Sequence, residues 1–264
     1  MRIQHIMQKI LVIFVMLSLY QGSILAQMNR VIEPAILEVR YDSWQKEHDD
    51  AYILRVGKTV SQFFSYFQNR TDSMDVTSEV TSKIALKEFL EADDRSPDRS
   101  KRLKASTISR ELIYQNLTTG KLTLYSNYAW EYYTYEEDIP QQEWLINLDS
   151  TKTILGQKCH YATTQFRGRV WKVWFAEGIP VSLGPWKLHG LPGLILEAVA
   201  DNGFIKLSAV SIKTKNITPV TLYNWRKEKY YKLTREKFLK YKNRPRSIPY
   251  ANKTVPASPY IELE

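Results

Sequence analysis

The chain has 264 residues, one cysteine and a formal net charge of +9. A lone Cys159 excludes an internal disulfide framework, and the excess of Lys and Arg points to acidic or anionic partners. Seventeen Tyr and seven Trp suit strands with large, half-buried side chains.

Residues 1–26 have the layout of a secretory signal peptide. Arg2 and Lys9 precede an apolar run from Ile10 to Leu19, and Ala26 before Gln27 marks the cleavage point. A spanning helix needs about 20 apolar residues, and polar residues arrive here sooner. The expectation is an exported protein, periplasmic or associated with the outer membrane, with a single β-rich domain over 27–243. Without Arg2 and Lys9 the net charge falls to +7. Export argues against nucleic acid as a partner.

Ile36–Tyr41, Ala51–Val56 and Thr59–Tyr66 read as strands, with Gly57-Lys58 as a hairpin signal. In Thr81–Ala92, Ile84, Leu86, Phe89 and Leu90 recur at helical spacing and predict one short helix. Asp93–Arg102 is dense in charge and reads as a loop. Glu111–Gln115 and Lys121–Tyr125 form a hairpin, and Trp130–Tyr135 is an aromatic strand. Glu136-Glu137-Asp138-Ile139-Pro140 reads as an acidic turn. Trp144–Leu148 and Thr153–Leu155 follow, with Asp149-Ser150 between them as a turn.

Lys158–Phe166, Arg169–Ala176, Leu194–Ala200 and Phe204–Ile212 complete the strands. A Gly/Pro-rich loop runs from Gly178 to Gly193, and Asp201-Asn202-Gly203 is a hairpin turn. Tight turns join antiparallel neighbours, whereas parallel strands need long crossovers. The predicted fold is mainly β: a large antiparallel meander, curled or half-barrel-like, with one or two short helices.

Lys213–Arg246 holds twelve Lys or Arg and two acids, Glu228 and Glu236. Thr234 can cap a short helix that places Phe238 and Tyr241 one turn apart. Residues 244–264 carry four Pro and read as an extended tail. The basic stretch could address an anionic membrane surface.

The recognisable motif is Gly190-Leu191-Pro192-Gly193-Leu194-Ile195. It is preceded by Leu155-Gly156-Gln157-Lys158-Cys159-His160, by Phe166-Arg167-Gly168-Arg169-Val170-Trp171, and by Trp174-Phe175. Together these segments resemble the GLPGLI family, secreted proteins of Bacteroidota named for the hexapeptide. The resemblance implies export but no reaction. The family's genes often neighbour TonB-dependent transporters, an association and not a mechanism; the partner expected for the aromatic-rich sheet is an envelope protein or polymer.

Physically, Pro192 fixes φ, and Gly190 and Gly193 allow a sharp turn or a close backbone approach. Leu191 and Leu194 would plug the core. Trp186 and His189 are candidates for a binding rim. Arg167 and Arg169, two apart, would share one strand face with Trp171 nearby; they could bind an anion or meet carboxylates such as Glu136 or Asp138. Trp174 is a further candidate contact.

Enzymatic signatures are weak. Cys159 and His160 are strand neighbours and point to opposite faces, so they cannot readily chelate one ion. Ser182 lacks the leading Gly of a nucleophile elbow. Ser43 and Lys46 match S-x-x-K spacing without the partner motifs. No phosphate loop or dinucleotide fingerprint is present. The sequence therefore predicts no cofactor, no metal and no enzyme: a non-enzymatic binding or accessory module, or alternatively a carrier of an apolar ligand within the curled sheet.

Overall fold

The computed structural model describes residues 29–45, 48–93, 96–104, 111–128, 131–244, 246–248, 253–255 and 261–263. The signal peptide expected over 1–26 lies outside these residues.

The chain is mainly β. Its strands are β1 (Asn29–Glu33), β2 (Ala35–Gln45), β3 (His48–Gly57), β4 (Val60–Ser65), β5 (Leu112–Asn116), β6 (Lys121–Tyr128), β7 (Glu131–Asp138) and β8 (Leu145–Ile154). They continue with β9 (Gln157–Phe166), β10 (Arg169–Ala176), β11 (Leu194–Ala200), β12 (Ile205–Lys213), β13 (Val220–Tyr223), β14 (Tyr230–Lys232), β15 (Arg246–Ile248) and β16 (Lys253–Val255). The helices are α1 (Tyr66–Thr77), α2 (Glu79–Leu90), α3 (Arg99–Lys104) and α4 (Arg235–Lys242).

Twelve strands make one sheet, in the order β14-β7-β6-β5-β4-β3-β2-β12-β11-β10-β9-β8. Two meanders, β2 to β7 and β8 to β12, meet where β2 pairs antiparallel with β12. The parallel exception is β14 on β7. Tight turns explain the registers. Leu155-Gly156 and Arg167-Gly168 both have positive φ, at 51° and 76° and at 53° and 74°, which is the pairing a two-residue hairpin loop needs.

Topology forces the curl. β7 lies next to one edge of the sheet and β8 forms the other edge. In a flat sheet they would stand ten strand spacings apart, about 48 Å. The chain from Asp138 to Leu145 can span at most about 25 Å, so the sheet must bend until its two ends approach. β7 and β8 do not pair, and the barrel stays open.

The inner face is filled. Tyr41, Tyr135, Phe166, Trp171, Phe175 and Leu207 meet there with Trp186, Leu188 and Leu191 from the long loop after β10. Trp186 stacks on Trp171 at 5.5 Å, while its neighbour Lys187 reaches Tyr135 on the opposite meander. The loop therefore bridges both halves. α4 closes one end, with Phe238 against Tyr135 and Tyr241 stacked on Tyr133. The expected cap is present, since the Thr234 hydroxyl accepts from Lys237 N.

The outer face carries a second layer. β1 and β13 pair as a two-stranded ribbon over β3 to β5. Phe63 faces the inner core and Phe64 packs against Tyr223 of the ribbon. β4 is consequently buried on both faces.

Several local expectations need correction. Among the described residues there are four α-helices, where one or two were expected. α1 begins at Tyr66, where the sequence reads as a strand end: Ser65 accepts from Gln68 N as a helix cap. α3 lies partly within the expected loop 93–102. The apolar set Ile84, Leu86, Phe89 and Leu90 of α2 is exposed, and Ala85 is buried instead. Glu136-Glu137-Asp138 is the end of β7, not a turn. Asp149-Ser150 forms a bulge within β8, held by the Asn147 side chain accepting from both backbone N–H groups at 3.0 Å. The region 244–264 is not extended throughout, because β15 and β16 pair as a hairpin within it.

Candidate functional site

The rim expected around the hexapeptide is largely interior. Trp171 and Trp186 are buried, stacked together and edged by Phe166. Trp174 is half-buried on the opposite face of β10, against Tyr161 and the Lys152 ammonium. His189 is half-buried, with Nε2 2.7 Å from the Pro140 carbonyl oxygen. Burial pulls its pKa below the usual imidazole value, and the hydrogen bond to Pro140 opposes that shift in part. Gln142 and Trp144 donate to the carbonyls of Lys187 and His189. They tie the loop to the connection between β7 and β8.

Within the hexapeptide, Leu191, Leu194 and Ile195 are buried, and Pro192 is exposed. The two glycines answer different needs. Gly190 has φ +94°, a conformation that side chains rarely adopt. Gly193 is required by space: a Cβ there would stand 2.3 Å from the Ala176 carbonyl oxygen. Its neighbour Leu194 pairs with Ala176 as β11 begins.

Arg167 and Arg169 do not share a strand face. Arg167 heads the β9–β10 turn at φ 53°. Both meet carboxylates, although not the predicted Glu136 or Asp138. Arg167 donates to Glu137 at 2.6 Å, and Arg169 pairs with Asp201. Glu137 belongs to a buried cluster with Lys187, Arg235 and Glu262. Lys187 and Glu262 are both fully buried, with Nζ 2.6 Å from Oε2.

The basic stretch is also partly committed to acids. Arg226 pairs with Asp72 and Asp75, and Lys242 lies 3.5 Å from Glu111. Lys215 and Lys227 are exposed outside the strands and helices, and Lys237 and Lys240 are exposed together on α4.

The binding chemistry left open toward solvent lies on the outer face. A shallow, open cleft with a cavity volume of about 40 Å³ runs between α1, the start of β5 and the segment from Tyr223 to Tyr230. Its aromatic wall is Tyr223 stacked on Trp225 at 5.6 Å, with Tyr132 and Tyr230 edge to face at 5.7 Å. Trp225 is fixed by donating from Nε1 to Asn69 Oδ1 at 2.8 Å. The Asn224 side chain pins the loop at both ends of Glu228, accepting from its N and donating to its O. Burial, followed by the nearby Tyr132 and Asp72, raises the Tyr230 pKa and keeps the phenol a neutral donor.

Gln68 lines this cleft at 4% exposure. Among the described residues it alone has both polar side-chain atoms buried without a hydrogen-bond partner. A buried amide in that condition is costly, on the order of 1–3 kcal/mol, and most buried polar groups avoid it. Here the amide offers a donor and an acceptor at one point beside aromatic faces and carboxylates.

Sequence reasoning missed this cleft. Gln68 lies between the expected strand Thr59–Tyr66 and the expected helix Thr81–Ala92, where no element was expected, and Trp225 lies inside the basic stretch Lys213–Arg246. The available signal was Asn224-Trp225 in a turn facing a helix with Asn69 and Asp72 one turn apart. It becomes readable only once α1 is recognised.

A model of the family described as "N-glycanase peptide, N-terminal domain" matches residues 110–239, just under half of the chain. A comparison with curated proteins found no match. Among solved structures, two crystal forms of PNGF-II are similar. The first, in space group P21, has 17% identity and a TM-score of 0.48; the second, in C2, has 16% and 0.47. Each covers 76% of this chain, and the chain spans about a third of their length, 32% and 31%. The crystal structure of MucB is similar at 6% identity and a TM-score of 0.32, over 75% of this chain and 60% of that one.

Proposed function

We propose that this chain is a non-enzymatic binding module of the cell envelope, and that the cleft beside α1 holds a sugar residue of a glycan. The observation that carries the reading is the unpaired Gln68 amide at the base of an aromatic cleft. Sugar hydroxyls donate and accept at once, which is what both ends of a primary amide require. Sugar C–H faces are apolar and pack on aromatic rings such as Trp225.

The match to the N-terminal domain of an N-glycanase supports a glycan as the substrate class and a role beside glycan cleavage. On this reading the module holds the glycan while a separate catalytic unit acts. Membership of the GLPGLI family, export to the periplasm or outer membrane, and a partnership with a neighbouring transporter belong to the same proposal. The hexapeptide strands lie within the segment that matches the N-glycanase model. The alternative, a carrier of an apolar ligand, needs an apolar cavity, and Trp171, Trp186 and Phe166 occupy the inner face instead.

The test is titration of the protein with released N-linked glycans, followed by tryptophan fluorescence. Saturable quenching is expected, and Trp225→Ala should weaken it at least tenfold. Absence of binding at millimolar glycan would refute the assignment.

A further inference from the structure

Three cations converge on the inner face from three different elements. Arg167 comes from the β9–β10 turn, Lys187 from the long loop and Arg235 from the first turn of α4. Glu137 of β7 faces all three, at 2.6, 3.5 and 3.7 Å. One carboxylate cannot balance three buried or half-buried cations. The second comes from Glu262, in a separate short segment, Ile261–Leu263. Its carboxylate accepts from Lys187 at 2.6 Å and from Arg235, and lies 3.4 Å from Arg167. Tyr135 supports the same ammonium, receiving a hydrogen bond from Lys187 at 2.6 Å.

The segment is held by its backbone as well. The Ile261 carbonyl accepts from Arg169 Nε at 2.7 Å, and Leu263 N donates to the Arg167 carbonyl at 3.2 Å. The site thus reads a carboxylate flanked by one peptide acceptor and one peptide donor. That is the recognition pattern of an extended peptide, not of a free acid or a sugar acid. Ile261 packs against the main core while Leu263 is exposed. The occupant is therefore seated by one glutamate and its backbone, with little apolar anchoring. Without it, Lys187 would keep Glu137 alone as its counter-charge, and a desolvated ammonium strongly favours recruiting another anion.

We propose that Arg167, Arg169, Lys187 and Arg235 form a receptor for an acidic peptide, and that Ile261–Leu263 is its intramolecular occupant. A partner segment with a glutamate between apolar residues competes for the same place. The receptor lies on the inner face and is independent of the outer cleft.

The experiment uses full-length protein and a fluorescein-labelled hexapeptide with the sequence of residues 259–264. Glu262→Ala removes the carboxylate that occupies the receptor and leaves the segment with its backbone contacts alone. The peptide should bind that variant at least tenfold more tightly than the wild type. Adding Lys187→Met to Glu262→Ala should abolish binding, and a peptide with Gln in place of Glu should fail to bind. A folded Glu262→Ala variant that ignores the peptide overturns the proposal, as does equal binding of the Gln peptide. Displacement of the peptide by equimolar glucuronate would also overturn it, in favour of a small-acid site. Should the variant not fold, hydrogen exchange of the wild type decides. The Leu263 amide should exchange far faster than the β10 amides, and faster still with millimolar peptide. Exchange at the β10 rate, unchanged by peptide, would make the segment a fixed part of the core.

Discussion

Lys187 Nζ lies 2.6 Å from Glu262 Oε2, with both side chains fully buried although they are 75 residues apart in the chain. Desolvating two charges is expensive, and removing one partner typically costs 3–5 kcal/mol because the other stays buried. Arg235 and Arg167 remain to face Glu262 when Lys187 is lost. Lys187→Met should therefore destabilise the protein by about 3 kcal/mol, read by urea unfolding. The double variant Lys187→Met with Glu262→Leu should lose less than the two single changes together. Strict additivity would show that the two groups do not depend on each other.

The hexapeptide glycines should separate by mechanism. Gly193→Ala drives a Cβ against the Ala176 carbonyl and should cost about 1–3 kcal/mol or more. Gly190→Ala meets no backbone, and its nearest neighbour is Trp144 at 3.5 Å. It pays only for positive φ, about 1–2 kcal/mol. Leu194→Ala, at a buried position where β11 begins, should cost about 2–5 kcal/mol. Equal, small effects for all three in thermal and urea unfolding would contradict the packing described for this loop.

The strands were legible because their signals are local. Alternation in Arg169–Ala176 and the turn residues at Asp201-Asn202-Gly203 specify antiparallel neighbours directly. The curl was legible only as a class. Its cause, a six-residue connection between opposite ends of the sheet, appears once the strand order is known. α1 was missed because Tyr66-Phe67 continues the aromatic pattern of β4, and its cap, Ser65, looks like another strand residue. With α1 went the cleft, whose walls come from three separated segments. Of the two roles left open for Arg167, an anion or a carboxylate, the structure shows a carboxylate partner. The partners of Arg167 were misassigned because only strand alternation along β7 singles out Glu137 from Glu136 and Asp138, and because Glu262 read as part of an extended tail.

Cys159 should be slow to react. It is fully buried, and burial raises its thiol above the usual cysteine value by disfavouring the thiolate. The unfolded chain therefore releases this proton at a lower pH than the folded chain. Folding stability from this group is intact below the unfolded value, roughly 8.5, and declines as pH rises above it. Native protein at pH 7.5 should label far more slowly with a bulky thiol reagent than protein in urea. Rapid stoichiometric labelling would contradict the burial.

His189 gives a dependence on the acid side. Its folded pKa is depressed by burial, so the unfolded chain binds the proton first. The stability it contributes is present above the unfolded value, about 6.5, and is lost as pH falls through the lower folded value. His189→Gln should flatten the decline in stability below pH 6.5, measured by urea midpoints at stepped pH. An unchanged profile would place the titration elsewhere.

The most direct test of the central claim observes Gln68 itself. In a ¹⁵N-labelled protein, its side-chain amide and the Trp225 indole N–H give resolvable signals once assigned by Gln68→Glu and Trp225→Phe. Titration with a released N-linked glycan should shift both signals together, along one saturable curve, and Gln68→Leu should weaken binding at least tenfold. Shifts confined to the inner-face residues, or a Gln68 signal that stays fixed at saturating glycan, would contradict the assignment of the cleft.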